Sequence, residues 1–490
     1  MSSKERRLSP SADPAEHLIP KRPWTNVVLL ALCFALGMAS LFVQVSVSAI
    51  AAREFASASV ATVPLGLLFA VTAVASTAVP RLAHRIGARP TLLLCALSAV
   101  AGALLNFGAA YRQSFALLAV GSLFQGPNFA ATLYLRFAAL QFVPQKAAAK
   151  AIALVVAGGV LSAAGPELAR GTRAVLPQDF AGSYIAIAVI YAIFGLLLFA
   201  VDFDAAQRVA RARHEAEVKA ALLQQSGGQV DCSPPAADSI KDLERRLQPR
   251  SLRELARQPA FVAAIIASII AYSAMTSLMS ATPVAMSDAG LDFEATSLAI
   301  TVHSLGRYLP SFVSGRLVAR VGSVTVMLLG YVIQMAATLA FLAGRSKVVF
   351  VTAICFVGVG WSLSFVAGTR LLTKTYHAYE RARVQGFTDT VILVAMTATT
   401  VSASSSLQFF GLDTFAGLHF MYESLGLLTI LTLVVWRWWQ KRRGLGDAAA
   451  DDNAGAGREN EEEAQACLAV ELGLGLHLDG PVHRLQCSQV

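Results

Sequence analysis

Long apolar segments alternate with short polar ones along most of the chain. A helix needs about 20 apolar residues to cross the roughly 30 Å hydrocarbon layer of a membrane. Six spans are therefore predicted before a polar gap, and six after it. The predicted spans lie near 26–50, 57–79, 91–110, 114–138, 151–169, 181–203, 260–285, 296–315, 323–343, 348–373, 386–408 and 416–438.

These spans define an all-α polytopic membrane protein with two six-helix bundles. The gap between the bundles is polar and charged, which indicates either a solvated linker on the inner leaflet or a regulatory partner site. The C-terminal tail contains an acidic run and is predicted to be disordered. The segments are a cytosolic N-terminal tail (1–25), the first bundle (26–203), a cytosolic central loop (204–258), the second bundle (259–440) and the C-terminal tail (441–490).

Composition supports a membrane protein over a soluble one. Of the 490 residues, 55% are hydrophobic and 14% are charged, whereas soluble domains carry roughly 25% charged residues. The net charge of +9 is spread between the apolar runs, so it does not indicate a nucleic-acid partner. The six cysteines form no CxxC pair, so neither a disulfide framework, a metal site nor a cofactor is expected.

The positions of lysine and arginine orient the chain in the membrane. The linkers after odd-numbered spans contain six such residues, whereas ten lie between Arg208 and Arg257 alone. The positive-inside rule then places both termini and the central loop in the cytosol. The first apolar run is too long for a signal-peptide core, so we expect a retained span. We expect a monomer, in the plasma membrane rather than an organelle.

The two halves of the chain repeat each other. Residues 80–87 read PRLAHRIG after span two, and residues 315–322 read GRLVARVG after span eight, at an offset of 235. Each repeat pairs a span with the span six positions later, which predicts two halves of the same orientation. Two more pairs have nearly the same offset: Gly126 and Arg136 with Gly360 and Arg370 (234), and 38–41 with 275–278 (237).

In these motifs the chain resembles the major facilitator superfamily. The loop motif of that family is matched by Arg85 and Gly87 after span two, and by Arg320 and Gly322 after span eight. Its usual acidic residue is replaced in both copies. The resemblance implies two pseudo-symmetric bundles that expose a midplane site alternately to either side. It also implies that spans 1, 4, 7 and 10 line the cavity, while spans 3, 6, 9 and 12 form the scaffold.

Polar groups at mid-membrane depth are the candidates for a solute site, because a charge in hydrocarbon is costly. His303 and Arg307 lie four residues apart on one face of span eight. We favour solute contact for Arg307, because the cavity-lining spans have no acid at its depth. His303 is expected to be neutral and hydrogen-bonded. The other candidates are Gln125, Asn128, Tyr272, Thr276, Trp361 and Ser362, of which the two aromatic residues, taken singly, are expected to be packing residues.

Two arginines are candidates for a gate. Arg136 and Arg370 lie about nine residues, or about 13 Å, beyond the centres of their spans toward the cytosol. Asp389, at the cytosolic start of span eleven, is the predicted partner of one of them. We hypothesise that these arginines lock the outward-open state. The loop residues Arg85, Gly87, Arg320 and Gly322 have either a similar conformational role or an inner-leaflet anchoring role.

Two carboxylates lie within predicted spans. Glu167 follows the Gly165-Pro166 step of span five, near its outer end, and Glu423 lies in span twelve. We expect each of them to be paired or to snorkel toward the interface, rather than to be coupled to protons.

The function predicted from these residues is secondary transport of a small organic solute by alternating access. Low dielectric strengthens the positive bias that Arg307 gives the cavity, so an anionic or polar neutral solute is favoured. A coupling proton or counter-substrate is left open. The alternatives are a multidrug-type efflux exchanger and a non-transporting sensor of the same fold. An enzyme is not expected, since the HExxH, GxSxG and Walker-type motifs are absent.

Overall fold

The computed structural model describes residues 18–20, 22–144, 147–213, 250–376 and 380–442. The predicted N-terminal tail up to residue 17, most of the central loop (214–249) and the tail from residue 443 onward lie outside the described residues. All regular secondary structure in the described part is helical.

Fourteen helices are labelled here in chain order, and several are joined by short 3₁₀ turns. Residues 203–213 are also helical. The labelled helices are α1 (Pro23–Phe55), α2 (Val63–Ile86), α3 (Ala88–Arg112), α4 (Phe115–Ala138), α5 (Ala148–Ala157), α6 (Ala164–Thr172), α7 (Ala181–Leu197), α8 (Leu252–Leu255), α9 (Pro259–Asp288), α10 (Phe293–Tyr308), α11 (Ser311–Val321), α12 (Ser323–Ala340), α13 (Lys347–Thr373) and α14 (Arg381–Arg442).

Among the described residues, nine helical segments are long and apolar enough to cross a membrane. One of the nine is α14, although Gly411, with φ of +76°, kinks it into two helices. The contacts described below all lie within one compact unit, which ends at Val434. The fold is therefore that of a multi-pass helical membrane protein.

Burial separates the central helices from the peripheral ones. In the most apolar window of each helix, 72% of residues are buried in α1 and 83% in α9, against 44% in both α3 and α12. Leu94, Leu97, Leu329 and Val332 on the two latter helices remain exposed, where lipid can cover them. This distribution agrees with the family resemblance, which puts spans one and seven at the centre.

Pairs of glycines bring neighbouring helices into backbone contact. α3 crosses α4 at Gly102 and Gly121, and α12 crosses α13 at Gly330 and Gly360. A Cβ atom added at Gly121 would lie 2.6 Å from the carbonyl oxygen of Gly102, and one at Gly360 would lie 2.6 Å from that of Gly330. Small residues allow such close crossings. In a membrane the hydrophobic effect does not drive helices together, so close packing of this kind is what holds them.

The repeated loops adopt the same backbone conformation. Gly87, between α2 and α3, has φ of +100° and ψ of 153°, and Gly322, between α11 and α12, has φ of +86° and ψ of 153°. Glycine reaches this region without steric cost, whereas other residues are strained there. The sequence repeat at an offset of 235 residues is thus a structural repeat at these two turns.

Spans five and eight are both interrupted and lie against each other. A 3₁₀ segment, Gly158–Ala163, separates α5 from α6, and such a segment inside a helix often marks a hinge. The hydroxyls of Ser162 and Ser304 are 2.9 Å apart. The Tyr308 ring lies over Gly159, where a Cβ atom would be 2.5 Å from a ring carbon. The segments before and after the central loop therefore touch at mid-span.

The crossing of α12 and α13 gives a direct test of the packing. We predict that Gly360→Ala lowers the free energy of unfolding by about 1–3 kcal/mol, because the added methyl would overlap backbone atoms. Gly417→Ala is the matched control, since a Cβ there meets nothing within 4 Å. It should be neutral or should stabilise by up to about 1 kcal/mol. Thermal unfolding in detergent measures both, and equal midpoints would contradict the crossing.

Candidate functional site

Three helices meet around one buried guanidinium. Arg307 on α10 is 4% exposed, and its Nη2 donates to the Tyr272 hydroxyl of α9 at 2.7 Å. Its Cζ lies 4.3 Å from the Trp361 ring centroid on α13, and 5.5 Å from those of Tyr272 and Tyr308. The Phe365 ring stacks on Trp361 at 5.2 Å. We call these five residues the Arg307 cluster.

Local sequence explains why Arg307 reaches the Trp361 ring. Gly306 and Gly358 let α10 and α13 approach closely: a Cβ at Gly306 would lie 2.5 Å from the Cys355 carbonyl oxygen. Trp361 then follows Gly358 by about one helical turn. Arg307 also lies in the last turn of α10, where the negative end of the helix dipole favours a cation.

No carboxylate forms an ion pair with Arg307 within the described residues. A desolvated cation–π contact contributes about 2 kcal/mol, while burying an ion costs several kcal/mol. The rings therefore hold the guanidinium in place without neutralising it. This leaves a positive charge inside the protein.

Several donors in the Arg307 cluster lack partners. Arg307 Nε, Trp361 Nε1 and the Tyr308 hydroxyl are buried and have no hydrogen-bond partner in the described part of the chain. An unsatisfied buried donor costs about 1–3 kcal/mol. The cluster thus brings together a cation, donors without partners and flat aromatic rings.

The other residues predicted in the second half lie beside this cluster. His303 is one turn before Arg307, and its Nδ1 donates to the Ile354 carbonyl oxygen at 2.8 Å. His303 therefore faces α13 instead of joining the cluster. Thr276 donates to the backbone oxygen of Tyr272 in its own helix at 2.8 Å, and Ser362 is buried on α13.

Gln125 and Asn128 belong to a second polar group, on α4. Tyr191 donates to Gln125 Oε1 at 3.4 Å, and Gln44 donates to Ser122 Oγ at 3.1 Å. Gln125 Nε2 and both polar side-chain atoms of Asn128 are buried without partners among the described residues. The structure therefore gathers the predicted site residues into two groups, one in the first half of the chain and one in the second half.

The predicted gate residues form one ion pair between the halves. Arg136 Nη2 on α4 lies 2.9 Å from Asp389 Oδ2 on α14. Both side chains are partly buried, and the neighbouring hydroxyls of Ser76 and Thr390 are 3.5 Å apart. Of the two candidate arginines, Arg136 is thus the one seen with Asp389, and Arg370 is a half-buried residue of α13.

The residues of the repeated loops lie at the same end as this ion pair. Arg85 and Arg320 are exposed, each two residues before the positive-φ glycines Gly87 and Gly322. Neighbouring Arg89 donates to the Val201 carbonyl oxygen at 2.9 Å, which ties the start of α3 to the end of span six.

A second contact between the halves lies at the opposite end, and the sequence analysis missed it. Arg53, in the last turn of α1, forms an ion pair with Asp288, in the last turn of α9. Gln408 on α14 donates to Asp288 Oδ2 at 2.7 Å, and Ser404 and Thr62 share hydroxyl contacts at 2.9 Å.

Helix α14 takes part in both contacts between the halves, through Asp389 in the first and through Ser404 and Gln408 in the second. Asp389 and Ser404 are separated by 15 residues of α14, or about 22 Å. A signal for the missed pair did exist in the sequence: Arg53 and Asp288 are 235 residues apart. They occupy equivalent positions of the repeat and carry opposite charges.

With this geometry described, comparison with known proteins identifies the family. A sequence model of the Major Facilitator Superfamily matches residues 27–400 and again residues 264–466. The chain belongs to the major facilitator superfamily. The second match begins 237 residues after the first, close to the offsets of 234 to 237 residues in the internal repeat.

Three curated members of the superfamily are similar to this chain. The riboflavin transporter RfnT of Brucella anthropi is 27% identical over 83% of this chain and 95% of its own length. Two proteins of Bacillus subtilis (strain 168), YddS and YdeG, are described as uncharacterized MFS-type transporters. YddS is 28% identical over 76% of this chain and 81% of its own length. YdeG is 26% identical over 82% of this chain and 89% of its own length. Superfamily membership makes the chain a multi-pass membrane transporter.

The Arg307 cluster predicts unequal effects for two similar substitutions. Tyr272→Phe removes the hydroxyl that accepts from Arg307, so it should lower stability by about 1.5–3 kcal/mol. Tyr308→Phe removes a buried hydroxyl without a partner, so it should be neutral or slightly stabilising. Thermal unfolding of the two purified variants in detergent gives the comparison. A Tyr308→Phe variant that loses as much stability as Tyr272→Phe would contradict the assigned hydrogen bond.

Proposed function

We propose that this superfamily member is a secondary transporter that moves a planar organic solute, anionic or polar neutral, by alternating access. The observation that carries the proposal is the buried Arg307 guanidinium, which is framed by aromatic rings and has no carboxylate partner in the described residues. A cationic solute would meet uncompensated repulsion there.

The proposed architecture has twelve spans in two six-helix bundles. The nine apolar helices count α14 once despite its kink at Gly411, so α14 supplies spans eleven and twelve. α4 supplies span four, although polar residues interrupt its apolar run, and α10 with α11 supplies span eight. The matching conformations of Gly87 and Gly322 and the second family match support two related halves.

The solute class is proposed from the chemistry of the Arg307 cluster. Rings of Tyr272, Trp361 and Phe365 offer stacking surfaces, and Arg307 Nε and Trp361 Nε1 are donors without partners. A flat ring system that bears carbonyl or carboxylate oxygens satisfies both features. Riboflavin, the solute named for the Brucella relative, is a compound of this kind, so we propose a flavin or a similar ring compound as substrate.

The second polar group extends the proposed solute site. The unpartnered side-chain atoms of Gln125 and Asn128 on α4 are available to a solute held between the halves. His303, Thr276 and Ser362 are proposed to contribute from the second half when the helices move. In this arrangement the solute contacts both halves, as alternating access about a midplane site requires.

Orientation and coupling complete the proposal. We propose that both termini lie in the cytosol, which the lysine and arginine distribution supports, and that the protein is a monomer in the plasma membrane. The Arg136–Asp389 contact then faces the cytosol and the Arg53–Asp288 contact faces outside. We propose that the two contacts break in turn, with Arg370 and the loop residues Arg85, Gly87, Arg320 and Gly322 serving the cytosolic side. A proton or a counter-substrate would drive the cycle.

The transport proposal predicts a specific loss of uptake. In proteoliposomes loaded with unlabelled riboflavin, wild type should exchange labelled riboflavin, and Arg307→Gln should reduce this exchange about 10- to 100-fold. That range corresponds to one lost charged hydrogen bond of about 1.5–3 kcal/mol. Arg112→Gln, which changes an exposed arginine, is the matched control and should keep wild-type exchange.

Other outcomes of this assay distinguish the alternatives. Exchange of a quaternary ammonium compound that Arg307→Gln leaves unchanged would overturn the anionic or neutral assignment and favour a multidrug exchanger. A folded protein that exchanges no aromatic solute at all would favour a non-transporting sensor.

The gate proposal predicts a change in accessibility on the cytosolic side. Asp389→Asn breaks the Arg136 ion pair, so a single cysteine at Ser362 should react faster with an impermeant thiol reagent in inside-out vesicles. An increase of about fivefold corresponds to about 1 kcal/mol. Asp413→Asn breaks the exposed Arg345 pair instead and should leave the rate unchanged. Equal rates for both variants would remove the gate role.

A further inference from the structure

We propose that Glu423 on α14 is a proton-binding site and carries its proton at neutral pH. The residue lies away from the Arg307 cluster, in the helix that the proposed transport cycle assigns to the scaffold. Sequence analysis predicts that this carboxylate is paired or snorkels. In the structure Glu423 is 0% exposed, so it does not snorkel, and within the described residues its partner is the Thr338 hydroxyl and not a cation.

The hydroxyl of Thr338 lies within hydrogen-bond distance of more acceptors than its single hydrogen can serve. Thr338 Oγ1 on α12 lies 2.9 Å and 3.1 Å from the two carboxyl oxygens of Glu423. The same Oγ1 lies 3.1 Å from the Gln334 carbonyl oxygen. A hydroxyl has a single hydrogen and can serve one of these acceptors fully. If Thr338 donates to Gln334, as threonine commonly does one turn back in a helix, Glu423 must donate to Thr338.

A protonated Glu423 satisfies the whole group without burying a charge. The proton on Glu423 is then donated to Thr338 Oγ1, and the Thr338 hydrogen is donated to the Gln334 carbonyl oxygen. An ionised Glu423 would instead be a full negative charge held only by neutral donors, the Thr338 hydroxyl and the Gln334 side-chain amide, in the interior of a membrane protein. Burial of that kind strongly disfavours the charged form.

The titratable neighbours do not neutralise Glu423. From α12, Tyr331 faces it, and the Tyr331 hydroxyl donates to the Ala267 carbonyl oxygen. From α14 itself, the neighbours are Tyr422, whose hydroxyl is 2.9 Å from Ser273 Oγ, and His419. Of these three, only the histidine can become a cation, and its Nδ1 donates to the Phe415 carbonyl oxygen at 2.9 Å.

Packing holds the carboxyl group in this place. Gly426, three residues after Glu423 on the same face of α14, lets the helix pass against the Tyr331 side chain. On α12, Gln334 Nε2 donates to the Ala271 carbonyl oxygen of α9 at 3.1 Å. Ala271 is the residue before Tyr272, which belongs to the Arg307 cluster. Gln334 therefore links the surroundings of Glu423 to the helix that carries Tyr272.

Infrared spectroscopy of the purified full-length protein tests the proposal directly. A protonated carboxyl group has a C=O stretch that is separate from the bands of a carboxylate. We expect this band at about pH 7, well above the pH of about 4.3 at which model glutamate loses its proton. The band should be lost in Glu423→Gln and kept in Asp413→Asn, which changes an exposed, ion-paired acid of the same helix.

Two further results decide the matter even if Glu423→Gln folds poorly. Thr338→Val removes the acceptor of the carboxyl hydrogen, so it should shift the frequency of the band. A wild type with no protonated-carboxyl band at about pH 7, or a band that neither Glu423→Gln nor Thr338→Val changes, would overturn the proposal.

Discussion

The contact between the Arg307 guanidinium and the rings of Tyr272 and Trp361 is the constraint on which the arrangement of the second half depends. It joins α9, α10 and α13 at one point inside the protein. Cation–π contacts and one hydrogen bond hold the cation without cancelling its charge. Solute selectivity in our proposal follows from that remaining charge, and the glycines that let α10 and α13 meet are part of the same constraint.

Charge also organises the contacts between the two halves. One ion pair lies at each end of the spans, Arg136–Asp389 and Arg53–Asp288, and the hydroxyls of Ser162 and Ser304 meet between them. Ion pairs that stay partly exposed to solvent, as these do, contribute little stability, about 1 kcal/mol or less each. Contacts of this strength suit the transport cycle that we propose, in which they break and form in turn.

Much of the fold could be predicted from the sequence, because apolar length and the repeat are properties of the chain alone. Arg307, Tyr272 and Trp361 could be chosen by depth, but their mutual contact depends on where three helices cross. Arg53 and Asp288 were missed because linker residues were read only for their charge balance. The complete burial of Glu423 could not be predicted, because a sequence does not show how completely neighbouring helices cover a side chain.

Cryo-electron microscopy of the full chain with a bound solute, found by thermal-shift screening, tests the central claim most directly. The account predicts solute density against the Trp361 and Tyr272 rings, with an oxygen of the solute facing Arg307 Nε. Density at another place, with the guanidinium paired to a carboxylate of the protein itself, would contradict it.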